Sequence, residues 1–192
     1  MTDTLNIDLF RWIHAGAGSH PVWDLLAVVF AKGAPYAVII LLAVFWLTCE
    51  RFQKAAILEA ALAVAVGLLI NQAIGLFYTH PRPFMMGLCR PLIPHAPETS
   101  FPSDHATLLF AAALSLLSRP LWRRQGILLL ALALAGSWAR VYTGLHFPFD
   151  IAGSLVVAAV SVALLTWLRP QLLPAYERLV GMLDIFPGRR TV

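Results

Sequence analysis

Charge is what this sequence has least of. Only 12% of its 192 residues are Asp, Glu, Lys or Arg, where soluble domains carry about 25%. With 59% hydrophobic residues and a mean hydropathy of +0.76, there is too little polar surface to cover a water-soluble globule. The solvent for much of the chain is therefore lipid. Cysteine is scarce too. Cys49 and Cys89 are the 2 cysteines present, which excludes a disulfide framework and any metal site built on paired cysteines. No basic stretch leads into an apolar core with a small-residue cleavage site, so no cleaved signal peptide is expected. Internal repeats and low-complexity stretches are lacking as well. The formal charge of +4 does not point to nucleic acid, because the basic residues sit in short loops between apolar runs rather than on one soluble face.

What the chain has is long apolar runs. Residues 5–13 are short and amphipathic, with Leu9, Phe10 and Ile13 opposing Asp8 and Arg11, as in a helix lying at a membrane interface. Residues 21–31 are apolar but short, which suits an interfacial or re-entrant segment. Residues 34–48, 55–78, 106–118, 126–142 and 151–168 read as spans. Several run short of the ~20 residues a bilayer core asks for. The expected fold is all-α, a polytopic membrane helix bundle with five or six spans and an N-terminal interfacial helix. Its expected division is one membrane-embedded domain over residues 1–192, with 1–31 interfacial or re-entrant, 34–168 the transmembrane core and 169–192 a cytoplasmic tail.

Orientation follows from the basic residues. Arg51, Lys54, Arg119, Arg123, Arg124, Arg169, Arg178, Arg189 and Arg190 fall on one side of this topology, which the positive-inside rule makes cytoplasmic. The loop 79–104 and the turn 143–148 then face outside, and Cys49 and Cys89 lie on opposite sides. Trp46, Trp122 and Trp167 sit near span ends, where interfacial anchors are expected.

The outer side holds an unusual inventory: His80, Arg82, His95, Ser103, Asp104, His105, Arg140, His146 and Asp150. Ionisable groups at membrane depth cost roughly 2.5–3.5 kcal/mol each on insertion scales, so their concentration at one end calls for a reason. A solvated loop with ordinary helix caps accounts for His80, Arg90 and His95 taken singly. Three groupings ask for more. His80-Pro81-Arg82-Pro83 is a stiff extended turn that would hold the Arg82 guanidinium, a planar fork suited to phosphate. Phe101-Pro102-Ser103-Asp104-His105 opens a span, with Ser103 a favoured N-cap and free amides behind it. A helix start of that kind binds anions. Asp104 also suits the helix dipole, whereas a cationic His105 does not. Arg140 and His146 flank a turn, and Asp150 falls four residues after His146, one helical turn on. A carboxylate on one ring nitrogen would fix the tautomer and leave the other nitrogen as a nucleophile.

In this order and spacing, Arg82-Pro83, Pro102-Ser103-Asp104-His105, and Arg140 with His146 and Asp150 resemble the three signatures of the type 2 phosphatidic acid phosphatase superfamily. Within it, His80-Pro81-Arg82-Pro83-Phe84 and Asp104 resemble the undecaprenyl-diphosphatases of the bacitracin-resistance type. The resemblance implies a lipid pyrophosphate phosphohydrolase of the bacterial inner membrane, acting on a polyprenyl diphosphate in the bilayer and regenerating the monophosphate carrier for cell-wall synthesis. It implies that His146 attacks phosphorus with Asp150 orienting it, and that His105 protonates the leaving oxygen and then activates water. Arg82, Ser103, Arg140 and the amides at the start of the third span would hold the phosphoryl oxygens, with Asp104 in an orienting role. No cofactor or metal is called for. The chain departs from the family pattern at Gly75, where a Lys is usual, at Ala139, where Ser is usual, and at Asp104, where Gly is common. Asp104 is expected to orient an arginine or to sit against the helix N-terminus.

Other functions compete. A phosphatase of phosphatidate or phosphatidylglycerophosphate, or a lipid phosphotransferase, would use the same groups. An ion-coupled transporter would also use membrane His and Asp, but here they lie at span ends, and only Glu59, Asn71 and Gln72 lie deep within one. Zinc on His80, His95, His105 and His146 matches no ligand spacing.

Overall fold

The computed structural model describes residues 2–183. Among these there are six α-helices and no strand. They are α1 (Thr2–His14), α2 (Pro21–Thr48), α3 (Lys54–Phe77), α4 (Asp104–Leu117), α5 (Arg123–Tyr142) and α6 (Pro148–Leu183), with single 3-10 turns at Arg51–Gln53 and Pro120–Trp122. Four helical stretches are long and apolar enough to cross a membrane: those containing α2, α3, α5 and α6. The fifth apolar helix, α4, has 14 residues and is therefore about 21 Å long, short of the ~30 Å hydrocarbon core. The molecule is a multi-pass membrane helix bundle.

The short helix is the central one. α4 packs against α3, α5 and α6, and its Ala106, Leu109, Phe110, Ala111, Ala112, Ala113 and Leu116 are all buried. The outer helices turn Ile39, Ile40, Leu69, Leu76, Leu128, Val156 and Trp167 outward, the surface a lipid-facing bundle requires. With lipid outside there is little hydrophobic drive between spans, so close packing of small residues does much of the work. A Cβ on Gly136 would lie 2.8 Å from Ala34 Cβ and 2.9 Å from Leu109 Cδ1, which locks α2 and α4 onto α5.

Three expectations change. Residues 21–31 and 34–48 are one continuous 28-residue helix that carries Pro35 inside it. Ala27, Ala31, Ala34 and Val38 form an unbroken buried stripe through the expected break, and packing along that stripe outweighs one missing backbone hydrogen bond. The segment expected as a tail from residue 169 begins as the continuation of α6, with Tyr176 and Val180 buried. Trp122 is 5% exposed and packs beside Phe45, 5.5 Å between ring centroids. It is core, not an interfacial anchor, while Trp167 is exposed. Arg189 and Arg190 lie outside the described residues.

The two ends differ in kind. At one, Glu59 of α3 is 1% exposed and is paired by Arg119 and by Arg169 at 2.7 Å, tying the start of α3 to the end of α4 and to α6. At the other, the end of α3, the start of α4, the turn between α5 and α6, and the long loop 78–103 meet. α1 braces that end. Its Asn6 Oδ1 accepts from the Phe149 amide (3.0 Å), His14 Nδ1 donates to the Tyr142 carbonyl (2.7 Å), and Phe10 packs edge-on against Phe147. Trp12 and Leu5 of α1 stay exposed.

Candidate active site

His146 stands in the turn between α5 and α6 and is 1% exposed. Gly144 allows the turn, since its φ of +83° is left-handed and Cys89 Sγ would lie 2.8 Å from a Cβ there. The two ring nitrogens of His146 have opposite surroundings. Nδ1 lies 2.9 Å from the Ser100 carbonyl, which can only accept, so Nδ1 carries the proton. Nε2 faces Arg82 Nη1 at 3.0 Å, Arg140 Nη2 at 3.1 Å and Ser103 Oγ at 3.2 Å. Arginine only donates, so Nε2 presents its lone pair. Burial, opposed by Asp150 and reinforced by Arg140 and Arg82, lowers the His146 pKa to about 3. The imidazole is therefore neutral, and its free lone pair points at a cluster of anion-binding groups.

Asp150 holds this arrangement less directly than its four-residue spacing suggests. Its Oδ2 is 3.5 Å from Nδ1, and it accepts from Ser100 Oγ and, at 2.7 Å, from the Phe147 amide. Ser100 thus stands between carboxylate and imidazole, contacting the ring through both its hydroxyl (3.3 Å) and its carbonyl. His80 Nδ1 lies 3.6 Å from the other carboxylate oxygen.

Of the two arginines, Arg82 is fixed by the backbone and Arg140 is not. Arg82 donates through Nε to the Glu98 carbonyl (3.2 Å), through Nη1 to the Leu145 carbonyl (3.1 Å) and through Nη2 to the Thr99 carbonyl (3.3 Å), which stitches the loop 78–103 to the His146 turn. Burial lowers its pKa, opposed by Glu98, Asp150 and Asp104. Arg140 is 4% exposed, and its Nε has no hydrogen-bond partner among the described residues. A buried, unpartnered guanidinium N–H is costly, and an anion would satisfy it. Ser103 caps α4 and accepts from the Ala106 amide, while its own amide donates to Ser154 Oγ at 2.8 Å. The amides of Asp104 and His105 have no partner among the described residues.

These groups open on a cavity of about 350 Å³ lined by Arg82, His95, Asp104, His105, Arg140 and His146, with Asn71, Gln72 and Gly75 of α3 on its wall. All seven residues to which the family resemblance gives a role gather at this end of the bundle. Asp104 does so differently from the first of its two expectations. It stands in the first turn of α4, and the group that holds its Oδ1 is Asn71 Nδ2 at 2.8 Å, not an arginine. Asn71 also donates to Thr107 Oγ1 at 3.0 Å. Sequence reasoning missed Ser100 and Ser154. The only signals were a serine three residues before Ser103 and another four after Asp150, and serines are too common for either to stand out.

The chain is similar to known proteins over most of its length. It is 36% identical over 162 residues to the putative undecaprenyl-diphosphatase YbjG of Escherichia coli, covering 83% of this chain and 80% of that one. It is 35% identical over 156 residues to the undecaprenyl-diphosphatase BcrC of Bacillus subtilis, covering 81% and 80%. Among solved structures, Aquifex aeolicus LpxE superposes with a TM-score of 0.70 at 25% identity, covering 83% of this chain and 93% of that chain. Residues 56–173 match the model of the PAP2 superfamily. That stretch runs from α3 to α6 and contains every group around the His146 lone pair, and the chain belongs to the PAP2 superfamily.

Proposed function

We propose that the chain is an undecaprenyl-diphosphate phosphatase that releases inorganic phosphate and regenerates undecaprenyl phosphate through a phosphohistidine. The observation that carries this reading is the convergence of Arg82, Arg140 and Ser103 on the unprotonated Nε2 of His146. Nε2 attacks the terminal phosphorus. The bond from that phosphorus to the bridging oxygen breaks, and the prenyl monophosphate leaves with its oxygen protonated by His105. Water, deprotonated by His105, then cleaves the phosphorus–nitrogen bond, and phosphate departs. Arg82, Arg140, Ser103 and the Asp104 and His105 amides take the charge of the phosphoryl oxygens. A positioned acid contributes about 10²–10⁴-fold and one preorganised oxyanion donor about 10²–10³-fold, so two arginines matter as much as the acid. Every step uses side chains already at the site.

The relatives' names support a prenyl diphosphate, and the site's charge agrees. Gly75 removes a cation and Asp104 adds a carboxylate, which disfavours expulsion of an alkoxide from a monoester. A diphosphate offers a stabilised phosphomonoester as leaving group instead. An apolar groove of about 220 Å³, lined by Pro35, Leu68 and Leu108, meets the cavity at Gln72, Asp104 and His105 and suits the first isoprene units. The same reading places the protein in the bacterial inner membrane with the His146 end outside. The test is phosphate release by the detergent-purified protein from a panel of lipid mono- and diphosphates, with and without chelator. Long-chain prenyl diphosphate should turn over much faster than phosphatidate at equal surface concentration. Comparable or faster release from phosphatidate in the same micelles would overturn the substrate.

A further inference from the structure

Gln72 takes no part in the chemistry described above, yet it stands where the polar cavity and the apolar groove join. It lies on α3 five residues before the helix ends at Phe77, about 7.5 Å along the helix axis. Its side chain is exposed and makes no hydrogen bond among the described residues, while its neighbour Asn71 is buried and fully engaged with Asp104 and Thr107. Its amide is exposed on the wall of the polar cavity beside His105 and Asp104, so it is open to a polar occupant of that cavity.

The direction of the reaction says which part of that occupant it meets. His146 lines the cavity but not the groove, whereas Gln72, Asp104 and His105 line both. In-line displacement sends the leaving group away from the attacking nitrogen, and the groove that His146 does not line, joined to the cavity at Gln72, Asp104 and His105, is the space that suits a departing lipid. One turn further along α3, Gly75 offers no side chain, and the nearest atom to a Cβ there is Thr99 Cγ2 at 3.9 Å, so the wall beside Gln72 is open.

Resting on the diphosphatase reading above, we propose that Gln72 is a specificity-determining residue whose amide N–H binds the proximal, departing phosphate of a lipid diphosphate. The terminal phosphate is held by Arg82, Arg140 and Ser103, and the proximal one lies between His105 and Gln72 with the prenyl chain entering the groove. A lipid monophosphate puts its ester oxygen at that place and gives the Gln72 amide no phosphoryl oxygen to bind. Gln72 then adds to the discrimination that the better leaving group of a diphosphate already provides.

The experiment compares kcat/KM for a prenyl diphosphate and for phosphatidate in the same micelles, in wild type, Gln72→Leu and Gln72→Glu. Leucine suits a membrane helix and removes the donor, while glutamate keeps the shape and adds a repelling charge. The diphosphate-to-monophosphate ratio should fall about tenfold or more in Gln72→Leu, the effect of one hydrogen bond to a charged group, and further in Gln72→Glu. An unchanged ratio in Gln72→Leu, or an equal loss on both substrates, would overturn the role of Gln72 while leaving the phosphatase reading intact. Failure of the wild type to hydrolyse the diphosphate would instead overturn that reading, and this inference with it.

Discussion

Ser100 is the residue on which the two nitrogens of His146 come to differ. Its carbonyl accepts a hydrogen bond from Nδ1–H, and its hydroxyl donates to Asp150. Ser100→Ala keeps the carbonyl and leaves a buried carboxylate one donor short, a loss of about 1–3 kcal/mol. Turnover should therefore fall by roughly ten- to a hundredfold with the substrate KM little changed, read by steady-state phosphate release. A wild-type rate would remove Ser100 from the positioning of His146. The neutral state of His146 has a consequence for stability as well. Its pKa falls from the ordinary ~6.5 to about 3 in the folded protein. Folding therefore favours the unprotonated ring, and that contribution is complete above pH ~6.5. Below it the unfolded chain takes up a proton the fold refuses, and stability drops by up to about 1.4 kcal/mol per pH unit until about pH 3. Melting temperatures in detergent between pH 7 and pH 4 should fall more steeply for wild type than for His146→Gln. Parallel curves would show that the ring is not held neutral.

The elements that carry the site are held by close backbone approaches rather than by large side chains. A Cβ on Gly126 at the start of α5 would lie 2.6 Å from the backbone nitrogen of Leu117 at the end of α4. Gly126→Ala must therefore spread the α4–α5 hairpin, at about 1–3 kcal/mol, and should lower the melting temperature in detergent. An unchanged melting temperature would show that the hairpin has slack. Helix identity and order were legible in the sequence because apolar runs of span length leave little choice of structure in lipid. The breaks were harder to read. Lys32, Gly33 and Pro35 look like punctuation, yet α2 continues through them because its small-residue stripe packs on α5. Pro170 and Pro174 likewise lie inside α6. Local signals were overridden there by tertiary packing, which a single sequence does not display.

Across the whole molecule, two ends with different chemistry define one enzyme. Cys89 packs against the Gly144 carbonyl at the His146 end, and Cys49 follows α2 at the end that holds Glu59 and its arginines. With the His146 end outside, a membrane-impermeant thiol reagent applied to intact cells should label Cys89 and spare Cys49. Labelling of Cys49 alone would reverse the proposed orientation. The residues gathered at the candidate site were readable because their motifs combine residue types that lipid excludes, such as His105, Arg140 and His146, in a fixed order along the chain. Their supports were not, because Ser100, Ser154 and Asn71 matter only through contacts 33 to 51 residues away in sequence. The central claim is that the His146 lone pair takes the phosphoryl group. A rapid-quench reaction with prenyl diphosphate labelled in its terminal phosphate tests it most directly. Acid-labile, base-stable label should appear on the wild-type protein within the first turnover and be missing from His146→Ala, which should also release no phosphate. Label on the mutant protein, or turnover without His146, would contradict it.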